Sequence, residues 1–181
     1  MDLPPFDGTT ILTVTSSYPH KNLPIMAETC SLLESQHPDF RFRFAITLSQ
    51  EQCPFVNETN RHHFLLLGKV DIAACPSLYE QADVMLMPSL LECFSATYPE
   101  AMRMQVPIVT SDLEFARGLC GPAAAYYEAT NAQACADSIY RTATDRSYAA
   151  QLTESGTAQL KRYDNYEQRA DKLIALLEKL H

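Results

Sequence analysis

The sequence predicts an α/β fold, a parallel β-sheet with helices on both faces and a C-terminal helical extension. Short apolar or β-branched runs alternate with longer stretches of helical period, the pattern of strands separated by crossover helices. The alternation stops after Tyr127, and the chain from Asn131 to His181 reads as helix. At 181 residues, 46% hydrophobic and 20% charged, residues 1–181 suit one domain with one sizeable core.

The predicted strands are Ile11–Thr15, Phe40–Leu48, Phe64–Leu67, Val84–Met87, Ile108–Ser111 and Ala124–Tyr127. Between the first two, Leu23–Gln36 is expected to be a helix, with Asn22 as its N-cap and Pro24 in the first turn, where a missing N–H costs nothing. The run His37, Pro38, Asp39 ends it. In the C-terminal region, breaks are expected near Asp145 and near Tyr163–Asn165. The last segment spaces Ala170, Leu173, Ile174, Leu177 and Leu180 along one helical face, an apolar stripe that needs cover and otherwise promotes self-association.

Composition excludes several classes. A net charge of −8, from 22 acidic and 14 basic residues with no Lys or Arg run, argues against nucleic acid as a partner. Met1–Thr10 has neither a basic start nor an apolar core, so it is no secretory signal. No stretch approaches the roughly 20 apolar residues of a transmembrane segment. Six scattered cysteines without a C-x-x-C pair read as free thiols in a reducing cytoplasm. Only 5 glycines leave little room for a glycine-rich phosphate loop.

The most informative stretch is PSLLECFSATYPEAM, Pro88–Met102, which leaves the strand Val84–Met87 and enters a helix at about Ser95–Thr97. Ligands of open α/β sheets bind beyond the carboxyl ends of the strands, and a helix N-terminus offers free N–H groups to an anion. The N–H groups of Ser95, Ala96 and Thr97 are thus candidates to hold a diphosphate, with Glu92 in the loop and Glu100 in the first helical turns. The bland alternative is that Glu100 merely complements the helix dipole.

The segment resembles the E-x7-E motif of the group 1 (family four) retaining glycosyltransferases of the GT-B fold, with Glu92 and Glu100 as the two glutamates. The resemblance continues in order through FLLLGKV (Phe64–Val70), LYEQADV (Leu78–Val84), MPS (Met87–Ser89), EAM (Glu100–Met102) and VPIVTSD (Val106–Asp112). The loop TSSYPHKN, Thr15–Asn22, is similar to the loop after the family's first strand. The implied architecture is the Rossmann-like, donor-binding half of a GT-B enzyme, with the N-terminal acceptor domain absent from this chain and supplied by the same or a partner polypeptide.

By resemblance, Glu92 contacts the donor sugar and Glu100 accepts hydrogen bonds from the ribose hydroxyls, as two carboxylate oxygens can. The backbone of Phe94, Ser95 and Ala96 holds phosphate and sugar. Lys21 offsets the charge growing on the leaving diphosphate, and Val70 with Asp71 reads the base through main-chain groups. Three positions depart from the family pattern. Thr15 stands where many members carry an arginine clamp, a role His20 is then expected to share; Cys93 and Ser95 stand where glycines often flank Phe94; Gln105 stands where a glycine often precedes the proline at 107.

Other readings are set against these. Cys93 has no sequence-adjacent His and reads as a buried thiol. His62 and His63, adjacent in extended chain, point to opposite sides and read as solvated loop rather than as metal ligands. The absence of Asp-x-Asp fits metal-independent transfer. Lys21 reads as an exposed cation at a helix start, where it opposes the dipole and calls for an anionic ligand.

The expected function is therefore the nucleotide-sugar-binding half of a hexosyltransferase that uses a UDP- or GDP-type donor, without a further cofactor, in surface polysaccharide or glycoconjugate synthesis. The chain alone is expected to be inactive, and the complete enzyme cytoplasmic or peripheral at the inner membrane face. The competing reading is a non-catalytic interaction module that keeps the architecture without turnover.

Overall fold

A computed structural model describes residues 1–179 of the chain. Six strands, β1 (Thr9–Thr13), β2 (Phe42–Ile46), β3 (Phe64–Leu66), β4 (Val84–Met87), β5 (Ile108–Ser111) and β6 (Ala124–Tyr127), form one sheet. Its order is β3-β2-β1-β4-β5-β6, and every neighbouring pair is parallel. The direction of winding reverses between β1 and β4, so a crevice opens there beyond the carboxyl ends of the strands.

Among the described residues seven α-helices surround the sheet: α1 (Ile25–Gln36), α2 (Cys75–Glu80), α3 (Thr97–Arg103), α4 (Glu114–Cys120), α5 (Ala132–Thr144), α6 (Arg146–Leu160) and α7 (Tyr166–Glu178). Successive strand residues face opposite sides, which divides the core in two. Ile11, Phe44, Ile46, Val84 and Leu86 pack with Met26, Leu33 and Ile139 of α1 and α5. Leu12, Ala45, Met85 and Met87 pack with Leu78, Tyr98, Met102 and Ala116 of α2, α3 and α4. Because both faces are covered, β4 and β5 are buried at every position, which is why neither alternates apolar with exposed polar residues: β4 is apolar throughout, and β5 buries Thr110 and Ser111 as well as Ile108 and Val109.

The last three predicted strands match the structure residue for residue, and the first three differ at their ends. β1 stops at Thr13, two residues early, because the Thr15 N–H turns to the Thr47 hydroxyl (2.9 Å) instead of continuing the ladder. β2 starts at Phe42 and not Phe40, since the Phe40 N–H donates to the His37 carbonyl (2.9 Å) in a turn. Asn22 does not cap α1. It ends a 3-10 turn, Pro19–Lys21, in the left-handed region at φ 51°, and its side-chain amide donates to the Ala129 carbonyl. α1 starts three residues later, through bonds from the N–H groups of Ile25 and Met26 to the Asn22 and Leu23 carbonyls.

Gln105 explains one of the departures noted in the sequence. It lies at φ 59°, a conformation that glycine adopts without strain and an L side chain does not. Its amide holds the turn by donating to the Met102 carbonyl (3.0 Å) and the Thr157 hydroxyl (2.9 Å), which compensates the backbone cost.

The C-terminal breaks fall where expected, with Asp145 capping α6 and Asn165 capping α7. None of the described residues of α7 is buried, and Leu173, Ile174, Leu176 and Leu177 are each more than half exposed. The stripe is thus present and uncovered over its described length; Leu180 lies outside the described residues.

Candidate functional site

Two loops meet at the switch point. The loop after β1 carries Thr15–Asn22 and the loop after β4 carries Pro88–Ala96, and the Leu90 N–H donates to the His20 carbonyl (2.7 Å), joining them. The Lys21 ammonium donates to Glu92 Oε1 at 2.5 Å, across 71 positions of sequence. The two side chains are only 14% and 8% exposed. The expectation of an exposed Lys21 at a helix start is corrected: Lys21 ends the 3-10 turn Pro19–Lys21 ahead of α1, and the carboxylate of Glu92 is its sheltered partner.

Beyond Glu92, Phe94 is half exposed and meets Tyr163 edge-on at 6.3 Å between ring centroids. Ser95 is buried, its hydroxyl bonded to that of Thr97 (2.9 Å), which holds the backbone before α3. The N–H groups of Ser95 and Ala96 have no acceptor among the described residues. Cys93 is exposed and not buried, because the loop turns it outward. All six cysteines are free thiols.

Glu100 lies one turn into α3 and is exposed, and its carboxylate accepts a 2.8 Å hydrogen bond from the Tyr79 hydroxyl. Burial and then the Glu100 charge push the Tyr79 phenol far above the usual tyrosine range, so it stays a donor and sets the orientation of the carboxylate. Tyr79 went unassigned in the sequence although it lies within LYEQADV, because nothing local relates α2 to α3. Two hollows flank this arrangement. One, of about 480 Å³, is lined by Thr15, Ser17, Tyr18, Lys69 and Val70. The other, of about 490 Å³, is lined by Tyr79, Ala96, Pro99, Glu100 and Arg103, and the two share Ile72 and Cys75.

Val70 therefore reaches one hollow and Glu100 the other. The Asp71 carboxylate accepts from the Ala73 N–H (2.8 Å) and its carbonyl from the Ala74 N–H (2.9 Å), which fixes the 3-10 turn beside the hollow. His20 is half-buried, with its ring stacked on Tyr18 at 5.7 Å. Lys69, also unassigned in the sequence, lines the hollow of Thr15, placing a cation on the wall where the expected arginine is missing. The burial of Cys75, then the charges of Glu100 and Asp71, raise its thiol, so it meets both hollows as a neutral group.

His62 and His63 do not sit in extended chain. They belong to a 3-10 turn, Arg61–His63, and both rings turn toward Glu34 at the end of the sheet remote from Lys21.

A family model described as glycosyl transferases group 1 matches residues 4–159. Among solved structures, a sucrose-phosphate synthase from Thermosynechococcus elongatus superposes with a TM-score of 0.83 at 20% identity, covering 98% of this chain and 46% of that one. An α,α-trehalose-phosphate synthase (UDP-forming) from Burkholderia vietnamiensis gives 0.77 at 17% identity, with 95% and 45% covered. A glycosyltransferase from Rickettsia africae gives 0.78 at 17% identity, with 97% and 48% covered. The chain thus spans about half the length of these structures, and at such identities the likeness is one of fold. No curated protein sequence matches it. No helix among the described residues is long and apolar enough to cross a membrane.

Proposed function

The chain belongs to the group 1 glycosyltransferases, and from that premise we propose that it forms the nucleotide-sugar-binding half of a retaining hexosyltransferase. The observation that carries this reading is the meeting of Lys21 and Glu92 at the switch point, with Glu100 held by Tyr79 beside it. A UDP- or GDP-type donor would lay its base against the main chain at Val70 and Asp71 and its ribose against Glu100. Its diphosphate would lie toward Lys21 and the free N–H groups of Ser95 and Ala96, after Phe94.

Binding then exchanges partners: the diphosphate takes the Lys21 ammonium from Glu92, and Glu92 is released to accept from the sugar hydroxyls. The lysine charge is placed where negative charge grows as the glycosidic bond to phosphate breaks. Lys69 supplies the further positive charge that Thr15 cannot, and the His20 ring offers a hydrogen-bonding nitrogen. The acceptor hydroxyl is held by an N-terminal acceptor domain of the same or a partner chain, and its proton passes to the departing phosphate. No metal and no additional cofactor enters this scheme, and the isolated chain transfers no sugar. Surface polysaccharide or glycoconjugate synthesis, at the cytoplasmic face of the membrane, is the proposed setting.

The non-catalytic module is favoured by Thr15 and by a lysine already neutralised by Glu92. Calorimetry with UDP, GDP and the matching nucleosides separates the two readings. The transferase half binds one diphosphate saturably, and Glu100→Ala weakens that nucleotide and its nucleoside alike, by roughly 10-fold or more for a charged acceptor lost. Absence of saturable binding to either diphosphate overturns the reading.

A further inference from the structure

At the amino end of the sheet, the last turn of α1 and the 3-10 turn before β3 bring Glu34, His62 and His63 together, one donor atom from each lying within 4.8 Å of the others. His62 Nε2 is 3.4 Å and His63 Nε2 is 3.6 Å from the same carboxylate oxygen, Glu34 Oε1. His63 Nδ1 is 3.1 Å from the Phe42 carbonyl oxygen. A carbonyl only accepts, so Nδ1 carries the proton and Nε2 of a neutral ring presents its lone pair. That Nε2 is buried and has no hydrogen-bond partner. A buried lone pair facing a carboxylate oxygen sets two acceptors against each other, an arrangement a cation between them would satisfy.

We propose that Glu34, His62 and His63 form a binding site for a zinc-class divalent cation. The dimensions agree: metal–ligand bonds of about 2.0–2.2 Å in a tetrahedron place neighbouring ligand atoms about 3.4 Å apart, the separation seen between Glu34 and both histidines. The His63 ring is already oriented, stacked on Phe42 at 4.2 Å with 3° between planes, and its carbonyl partner is the usual outer contact of a ligating imidazole. Side chains of His62 and Glu34 are more than half exposed and free to close on the ion. Two imidazoles and one carboxylate suit zinc and its late-transition neighbours, not magnesium or calcium.

The fourth position opens on a hollow of about 420 Å³ lined by Phe6, His37, Phe40 and Arg41, where water completes the tetrahedron. The ion would tie the end of α1 to the edge formed by β2 and β3. This assignment is independent of the sugar-nucleotide site, which lies at the other end of the strands.

The test is titration of tag-free, chelator-treated protein with Zn²⁺ by calorimetry and thermal unfolding, with Co²⁺ as the spectroscopic probe and Mg²⁺ as the control. One saturable zinc site, a rise in Tm, no response to Mg²⁺, and Co²⁺ bands without thiolate charge transfer are expected. His62→Ala and Glu34→Gln, both at exposed positions, should keep the metal-free Tm and weaken zinc by at least about 10- to 100-fold, the loss caused even by removing an outer partner. No saturable zinc binding to the wild type, unchanged affinity in both variants, or a thiolate band that disappears in Cys93→Ser would each overturn the assignment.

Discussion

The two ends of this sheet are built on opposite plans. At the amino end aromatic rings pack in a connected series of stacked and edge-on contacts, with His37 stacked on Tyr140 at 3.5 Å, Phe42 on His63 at 4.2 Å, and Phe44 on Phe64 at 5.1 Å. At the carboxyl end Tyr18, Leu91 and Phe94 are each more than half exposed, around an ion pair that neutralises itself. Strand direction accounts for the difference. The loops that leave β1 and β4 meet at the switch point and leave a hollow on either side, so groups there keep surface for a ligand, whereas at the other end the rings pack on His37 at the end of α1 and Tyr140 of α5. Stacked aromatic packing is concentrated at one end, and the hollows beside Lys21 and Glu100 at the other.

The largest expected effect tests that division directly. Phe42→Ala, at a buried ring in the stacked series, should cost about 3–5 kcal/mol of folding stability. Phe94→Ala should change stability by less than about 0.5 kcal/mol, as an exposed substitution does. Chemical denaturation of the two variants compares them, and similar losses would abolish the contrast.

Lys21→Ala comes next. A hydrogen bond to a charged group contributes about 1.5–3 kcal/mol, so nucleoside diphosphate affinity should fall roughly 10- to 150-fold while affinity for the nucleoside is kept. Because the structure pairs Lys21 with a largely buried Glu92, the variant should also lose stability, by about 1–3 kcal/mol for the acceptor left unpaired. Adding Glu92→Gln removes the uncompensated charge and should restore much of the stability without restoring diphosphate affinity. If both recover together, Lys21 serves the fold and not a phosphate.

The smallest effect concerns the Tyr79 hydroxyl, whose one hydrogen bond among the described residues is to Glu100. Tyr79→Phe keeps the buried ring and loses one hydrogen bond, so ribose-dependent affinity should drop by about 1 kcal/mol, roughly 5-fold. Zinc binding at the other end should not move. A change in nucleoside affinity below twofold would show that Glu100 needs no such orientation.

Much of the fold could be read locally. Runs such as Val84–Met87 and Ile108–Ser111 are short apolar or β-branched stretches bounded by aspartate and proline, and the structure keeps their limits. The expected strand ends differ at Thr13 and Phe42 because other acceptors compete there for backbone N–H groups: the Thr47 hydroxyl, 32 positions away, takes that of Thr15, and a local turn at His37 takes that of Phe40. In the candidate site, the positions of Glu92, Glu100 and Lys21 were visible through a resemblance to a family. Their partners were not.

By itself the sequence determined the element types and their alternation, since periods of 2 and 3.6 are properties of consecutive residues. It also determined the family and the positions that carry its motif, since order along the chain suffices for both. Only the tertiary structure decided that Lys21 is paired and sheltered, that Tyr79 holds Glu100, that Gln105 occupies a glycine's conformation, and that His62 and His63 converge on Glu34. The physical reason is the same in each case. These relations depend on strand order and on backbone angles in loops, and a parallel sheet whose crossovers separate contacting residues by tens of positions leaves no local trace of either.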